Sequence, residues 1–290
     1  MPHEMIEERL AQYKLVDAEQ EENALKEILQ DISLYALSTT DFFQKALFQG
    51  GTALRILYDL PRFSEDLDFM LKKPDKHFRW EKYIDKIKKI LTLYDIEPDI
   101  TDRSKTDANV QKLFLKDNSI GKILQLKFQH HAHKKLFIKF EIDINPPLGA
   151  TEAMRYLTFP IDYAIATQDL PSNFAGKCHA LLCRQYVKGR DWFDLAWYIS
   201  KKTEINFSFL RNAMIQTRPW EKQRIRFDKS WLIEQLKIKI VQLNWEKIIN
   251  DVLPFVARSH VASLNVWSKD FFLNKIAQLN DYLPDNNKIK

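Results

Sequence analysis

The chain has 290 residues, 45% of them apolar and 29% charged, with a formal net charge of +5. That suffices for one large domain or two ordinary ones with a real core, and the composition excludes a disordered chain. No apolar run approaches the roughly 20 residues needed to cross a bilayer. The opening MPHEMIEERLAQYK lacks the apolar core of a secretory signal, and the two cysteines, Cys178 and Cys183, fall close together on one expected helix, a poor site for a disulfide. A reducing cytoplasm is the expected compartment, with no membrane partner.

Residues 18–37, AEQEENALKEILQDISLYAL, carry apolar positions at helical spacing. KALFQ then reads as a short strand running into Gly50-Gly51, and TALRILYDL as a helix that stops before Pro61. SEDLDFMLKK reads as the next strand, and residues 77–93 as a helix. Between residues 95 and 158 the character changes: DIEPDI, VQKLFLKD, KILQLKFQ, KLFIKFEIDIN and RYLTFP read as successive strands. From about residue 171 six helical segments follow, from SNFAGKCHALLCRQY to KDFFLNKIAQLNDYL.

This order predicts an α+β fold: a mixed β-sheet flanked by helices over residues 1–165, including the N-terminal helices, then an all-helical domain over 166–290 that completes a cleft. Charge is placed unevenly along the chain. Residues 201–290 hold 16 Lys/Arg against 9 Asp/Glu, a net of +7, whereas residues 1–200 hold 28 against 30, a net of −2. A basic region after an acidic one suits a polyanion, although a solvated helical surface has the same composition.

In a strand, alternate side chains share a face, so Asp66 and Asp68 of EDLDF lie together while Leu67 and Phe69 turn away. Two neighbouring carboxylates resist joint ionisation unless a cation sits between them, and Mg²⁺ favours such oxygen ligands. A bare D-x-D is more often a solvated strand edge. A third acid adds weight: in LFIKFEIDINPP, apolar residues alternate with Lys139, Glu141 and Asp143. Asp143, nearer the strand end than Glu141, is the preferred third ligand, and three carboxylates suffice for two divalent ions about 4 Å apart, the arrangement of phosphoryl and nucleotidyl transfer. Gly50 and Gly51, at a strand-to-helix turn, let backbone approach a phosphate, and Thr52 adds a hydroxyl there.

FQGGTALRILYDLPRFSEDLDFML resembles the first motif of the DNA polymerase β-like nucleotidyltransferases, and more closely that of the AbiEii/AbiGii toxin family, to which the MenT toxins are related. The matching residues are Gly50 to Leu54, then Arg62, Ser64, Asp66, Leu67, Asp68 and Phe69, with 14 residues between Gly51 and Asp66. AGKCHALLCRQYVKGRDWFDLAWYI is similar to a second family block through Lys177, Ala180, Leu181, Arg184, Arg190, Asp191, Asp194 and Leu195. The resemblance covers roughly residues 40 to 200. It implies a nucleotidyltransferase that uses Mg²⁺ or Mn²⁺ and an NTP, with tRNA or another RNA as acceptor and a cognate antitoxin as partner. Asp66, Asp68 and Asp143 would hold metal. Gly50, Gly51 and Thr52 would face the phosphates, and Arg62 and Ser64 would support the acidic strand or reach a phosphate. Lys177 would neutralise a phosphate. Asp191 would orient Lys177 or Arg190 or contact the nucleotide, and Asp194 would share that task.

Other features carry less. His130, His131 and His133 read as a polar turn, not a zinc site, and the cysteines as small buried residues. Trp192, Trp197, Trp220 and Trp231 read as packing residues, although Trp220 lies among Arg218, Lys222, Arg224 and Arg226, a mixture that can grip a nucleic acid. Two other functions compete with RNA modification: transfer to a small molecule or protein hydroxyl, and a non-catalytic nucleotide-binding module.

Overall fold

A computed structural model of the chain describes residues 2–105, 108–120, 126–128, 135–221, 223 and 225–284. It divides into two compact units, residues 1–146 with 152–167, and residues 147–151 with 168–290.

The first unit is built on a seven-stranded mixed sheet. Its strands are β1 (Ala46–Gln49), β2 (Asp66–Leu71), β3 (Asp99–Asp102), β4 (Val110–Asp117), β5 (Leu136–Asp143), β6 (Glu152–Leu157) and β7 (Tyr163–Gln168), in the order β3-β4-β5-β2-β1-β7-β6. The helices are α1 (Pro2–Ala11), α2 (Ala18–Ser38), α3 (Phe42–Lys45), α4 (Gly50–Tyr58) and α5 (Glu81–Thr92). β1 runs antiparallel to β2, while β2 and β5 run parallel with Asp68 opposite Glu141.

Alternation decides which face of the sheet is dry. On β5, Leu136, Ile138, Phe140 and Ile142 are buried, and Lys139, Glu141 and Asp143 take the other face. Helix α2 packs against β5 and α5 on the apolar side. Its start is fixed by Asp17, whose side chain accepts from the Gln20 backbone N–H at 2.9 Å. Phe42, Phe69, Trp80, Tyr83 and Phe140 form an aromatic core, with Phe42 and Phe69 edge-to-face at a centroid distance of 4.9 Å.

The structure departs from the expected elements in two places. Strand β7 lies across the expected domain boundary between residues 165 and 166. It is almost wholly buried and pairs parallel with β1, Phe48 opposite Thr167, so it lacks the alternation that reveals a half-exposed strand. Most of KILQLKFQ, with His130, His131 and His133, lies outside the described residues, and the described part, 126–128, is not a strand. There the Lys127 and Phe128 N–H groups donate to the Glu21 carboxylate at 2.8 and 3.2 Å.

The second unit is helical: α6 (Leu170–Cys183), α7 (Gly189–Ser200), α8 (Phe207–Ile215), α9 (Lys229–Val241), α10 (Trp245–Val252), α11 (Arg258–Val261) and α12 (Lys269–Tyr282). Trp192, Trp245, Trp267 and Phe272 pack together at its centre, confirming Trp192 as a packing residue. Trp220 stacks edge-on against Trp231 at 5.2 Å. Of the basic residues around it, Arg218 and Arg226 pair with Glu221 and Asp228, while Lys222 and Arg224 lie outside the described residues. Cys178 and Cys183 are free thiols on α6. No described helix is long and apolar enough to cross a membrane.

Asp31, buried on α2 with Arg9 at 3.4 Å, has its carboxyl pushed up from 3.8 to about 7 by burial and by neighbouring Glu27, against the pull of Arg9. Between those two values the folded chain keeps a proton that the unfolded chain releases, so this group's contribution to stability falls as pH rises from about 4 to 7. Asp31→Asn should therefore raise the melting temperature at pH 8, by roughly 2–4 °C for each kcal/mol relieved, and leave it nearly unchanged at pH 5; thermal unfolding at the two pH values checks this.

Candidate active site

The site begins where β1 turns into α4. Gly50 has φ +81°, the left-handed region that favours glycine. A Cβ there would lie 2.6 Å from Asp68 Oδ2, and a Cβ on Gly51 would lie 2.5 Å from Arg62 Nη2 and 3.1 Å from Ser64 Oγ. The doublet is therefore needed by the chain's own packing: Asp68 and Arg62 occupy the space that side chains would fill.

The segment between α4 and β2 is irregular but tied down through its carbonyls. Arg55 Nη1 donates to Leu60 O at 3.0 Å, Arg62 Nη1 to Phe63 O at 2.9 Å, and Gln30 Nε2 to Ser64 O at 3.0 Å. The Thr52 hydroxyl donates to Asp66 O. Thr52 and Arg62 are buried, so both brace the acidic strand from below. Arg55 is itself held by Glu27, Nε to Oε2 at 2.7 Å.

Above this base, β2, β5 and β4 present a row of charges on one face. Lys139 stands opposite Asp66, Glu141 opposite Asp68, and Asp143 opposite Met70; Lys112 of β4 stands opposite Glu141. Lys139 Nζ lies 3.1 Å from both Asp66 and Glu141, and Lys112 Nζ 3.0 Å from Glu141. Burial raises the Asp66 carboxyl above its ordinary value despite Lys139. Burial also pushes Glu141 upward, but Lys112 and Lys139 outweigh it and hold Glu141 below the usual range. Asp143 is raised by burial, partly offset by the Asn145 N–H that donates to it at 2.9 Å.

These side chains fit a divalent cation of one kind. Asp66 and Asp68 offer hard oxygen donors from one strand face, yet among the described residues no three of His, Cys, Asp or Glu are gathered to metal distance. Mg²⁺ is commonly bound by one or two carboxylates with substrate phosphates completing the shell, and the pair suits that mode rather than an all-protein cage.

The second expected block lies in the helical unit. Lys177 of α6 reaches Asp191 Oδ1 at 2.7 Å and Asp194 Oδ2 at 2.8 Å, and Arg184 Nη1 reaches Asp191 Oδ2 at 2.8 Å. Asp191 and Asp194, three residues apart on α7, are 4% and 0% exposed. Arg190 lies over the Phe255 ring at 4.1 Å. Sequence reading missed the roles of Lys112, Lys139 and Gln30. The alternation that exposed Glu141 and Asp143 puts Lys139 on the same face, but its partner on β2 depends on register.

A family model described as the nucleotidyl transferase AbiEii toxin of a type IV toxin–antitoxin system matches residues 32–275, and the chain belongs to that family. It is a nucleotidyltransferase. Two solved structures from Helicobacter pylori are similar. One, provisionally assigned as a nucleotidyltransferase, is 17% identical with a TM-score of 0.50, over 88% of this chain and 92% of its own. The other, JHP933, is 18% identical with a TM-score of 0.48, over 92% and 91%. At that identity the first supports the fold. No curated protein is similar enough in sequence to count as a match.

Lys177→Met would remove the lysine that two buried carboxylates share, leaving Arg184 on Asp191. Breaking a buried pair by removing one partner costs about 3–5 kcal/mol, so the variant should lose that order of stability in denaturant unfolding. Adding Asp194→Asn should recover part of the loss.

Proposed function

We propose that the chain transfers a nucleoside monophosphate from an NTP to a hydroxyl of an RNA, tRNA foremost, as a cytoplasmic toxin opposed by a cognate antitoxin. The observation that carries this reading is the pair Asp66 and Asp68 on one strand face, with Asp68 seated against the backbone of Gly50. The acceptor oxygen forms a bond to the α-phosphorus, the bond from that phosphorus to the bridging oxygen breaks, and pyrophosphate leaves with the electron pair. The hydroxyl proton passes to solvent.

Asp66 and Asp68 would hold Mg²⁺ or Mn²⁺, with Asp143 as the third carboxylate; bound there, the ion would polarise the phosphates and offset charge developing on them. The N–H groups at Gly50 and Gly51, at the start of α4, would meet the phosphates. Arg62, Ser64 and Thr52 keep β2 in place for that contact. Lys177, held by Asp191 and Asp194, supplies a point charge for a phosphate. Support for an RNA acceptor comes from the net +7 of residues 201–290, within the helical domain taken from residue 166. Glu141 is a second reading for the third carboxylate, because it stands in register with Asp68. Against it, two lysines already neutralise it.

The test is incubation with each labelled NTP, Mg²⁺ and total RNA. Label should appear on RNA, vanish with a chelator, return with Mg²⁺ or Mn²⁺, and fall to background in Asp66→Ala/Asp68→Ala. Label on a small molecule or protein instead would move the acceptor class, and no transfer under any metal would sink the enzymatic reading for this chain. Asp143→Asn should abolish transfer while Glu141→Gln retains a measurable rate; the reverse result would assign the third carboxylate to Glu141.

A further inference from the structure

A cavity of about 540 Å³ opens in the first unit away from the acidic row, where β2 ends and the segment 72–79 leaves it. It is lined by Lys45, Lys72, Lys73, His77, Arg79 and Lys82, with Asp75 the acid among its lining residues. Asp68 is three residues back along β2 from Leu71, which lines the cavity, a strand rise of about 10 Å. Neither the glycine doublet nor Asp66, Asp68 or Asp143 contributes to its wall.

The cations are held in place by acids behind them. Asp41 pairs with Lys45 at 2.9 Å and with Lys82 at 2.5 Å, and Glu152 pairs with Lys72 at 2.6 Å. Lys82 and Lys45 keep the Asp41 carboxyl down at about 2, so the pairs persist at neutral pH. Arg79 is oriented by donating from Nη1 to Lys76 O at 2.9 Å and Phe78 O at 2.7 Å. Lys73 makes no ion pair among the described residues. The five Lys and Arg of the wall therefore exceed Asp75, Asp41 and Glu152 by two charges, with Phe78 and Tyr83 as buried apolar wall beneath. The volume is that of a site for a small ligand, and the surplus charge selects an anion.

We propose that this cavity is a second phosphate site, distinct from the transfer site, that takes a nucleotide unit by its phosphate. The nucleotide is either a link in an RNA strand or a free nucleotide; the RNA source rests on the acceptor class proposed above, and the binding chemistry does not. Fluorescence anisotropy in the Asp66→Ala/Asp68→Ala background, with chelator, separates the two sources. The probes are a labelled RNA hairpin and a labelled ATP, each tested against a second protein that also carries Lys73→Gln/Arg79→Gln. With RNA as source, hairpin affinity should fall at least 10-fold and the slope of log affinity against log salt should flatten by about 0.7–0.9 for each lost contact. With free nucleotide as source, ATP affinity should fall instead. If both probes bind within twofold of the parent, with melting temperatures matched, the proposal is overturned. The single variant Lys73→Gln, at an exposed position, keeps the test readable should the double variant unfold. Because transfer is absent from this background, loss of the enzymatic reading would leave the binding result intact.

Discussion

Asp68 lies against the backbone of Gly50 with no room for one more carbon between them. The other parts of the site follow from that contact. It demands glycine at the turn and a positive φ that glycine adopts freely, and it sets the distance between the start of α4 and the face of β2. The neighbouring glycine does the same for Arg62. A buried guanidinium must be hydrogen-bonded, and part of its satisfaction comes from the Phe63 carbonyl in the segment that leads into the acids. Glycine, arginine and aspartate are thus parts of one packing unit, and the spacing of the sequence motif records the path between them.

The row of charges across β2, β5 and β4 raises a different balance. Carboxylates this close cost free energy when ionised together, and the strands meet the cost by interleaving lysines. Glu141, between Lys112 and Lys139, ends below its ordinary range, while Asp66, where burial outweighs the pull of Lys139, ends above it. The helical unit uses another solution. Two buried aspartates share one lysine, and Arg184 approaches the outer of the two. Each arrangement holds its charged side chains in fixed places through ion pairs of its own unit.

Much of this was legible in the sequence because it is local. Period-two alternation put Asp66 with Asp68 and Glu141 with Asp143, and the order of elements gave the mixed sheet followed by helices. The spacing of Asp191 and Asp194 put them on one helix face, and the structure adds that their common partner is Lys177. What the sequence hid depends on distant pairing. Lys139 meets Asp66 across 73 positions of chain because β2 and β5 align in one register out of several. Strand β7 was missed because burial on nearly every side erases alternation. The packing need for the glycine doublet was also hidden: a Cβ at either position would meet Asp68 or Arg62, and sequence does not say what fills the room a missing side chain leaves.

The irregular stretch between α4 and β2 has one more consequence. Surface loops usually absorb added or deleted residues at little cost. This one is gripped at Leu60, Phe63, Ser64 and Asp66 by four side chains drawn from α2, α4 and the stretch itself. One residue more or fewer would set these grips against the register of β2, which its pairing with β1 and β5 and the burial of Leu67 and Phe69 hold fixed. The 14 residues between Gly51 and Asp66 therefore act as a ruler of fixed length. Among descendants of this chain, side chains along the ruler can change far more freely than its count.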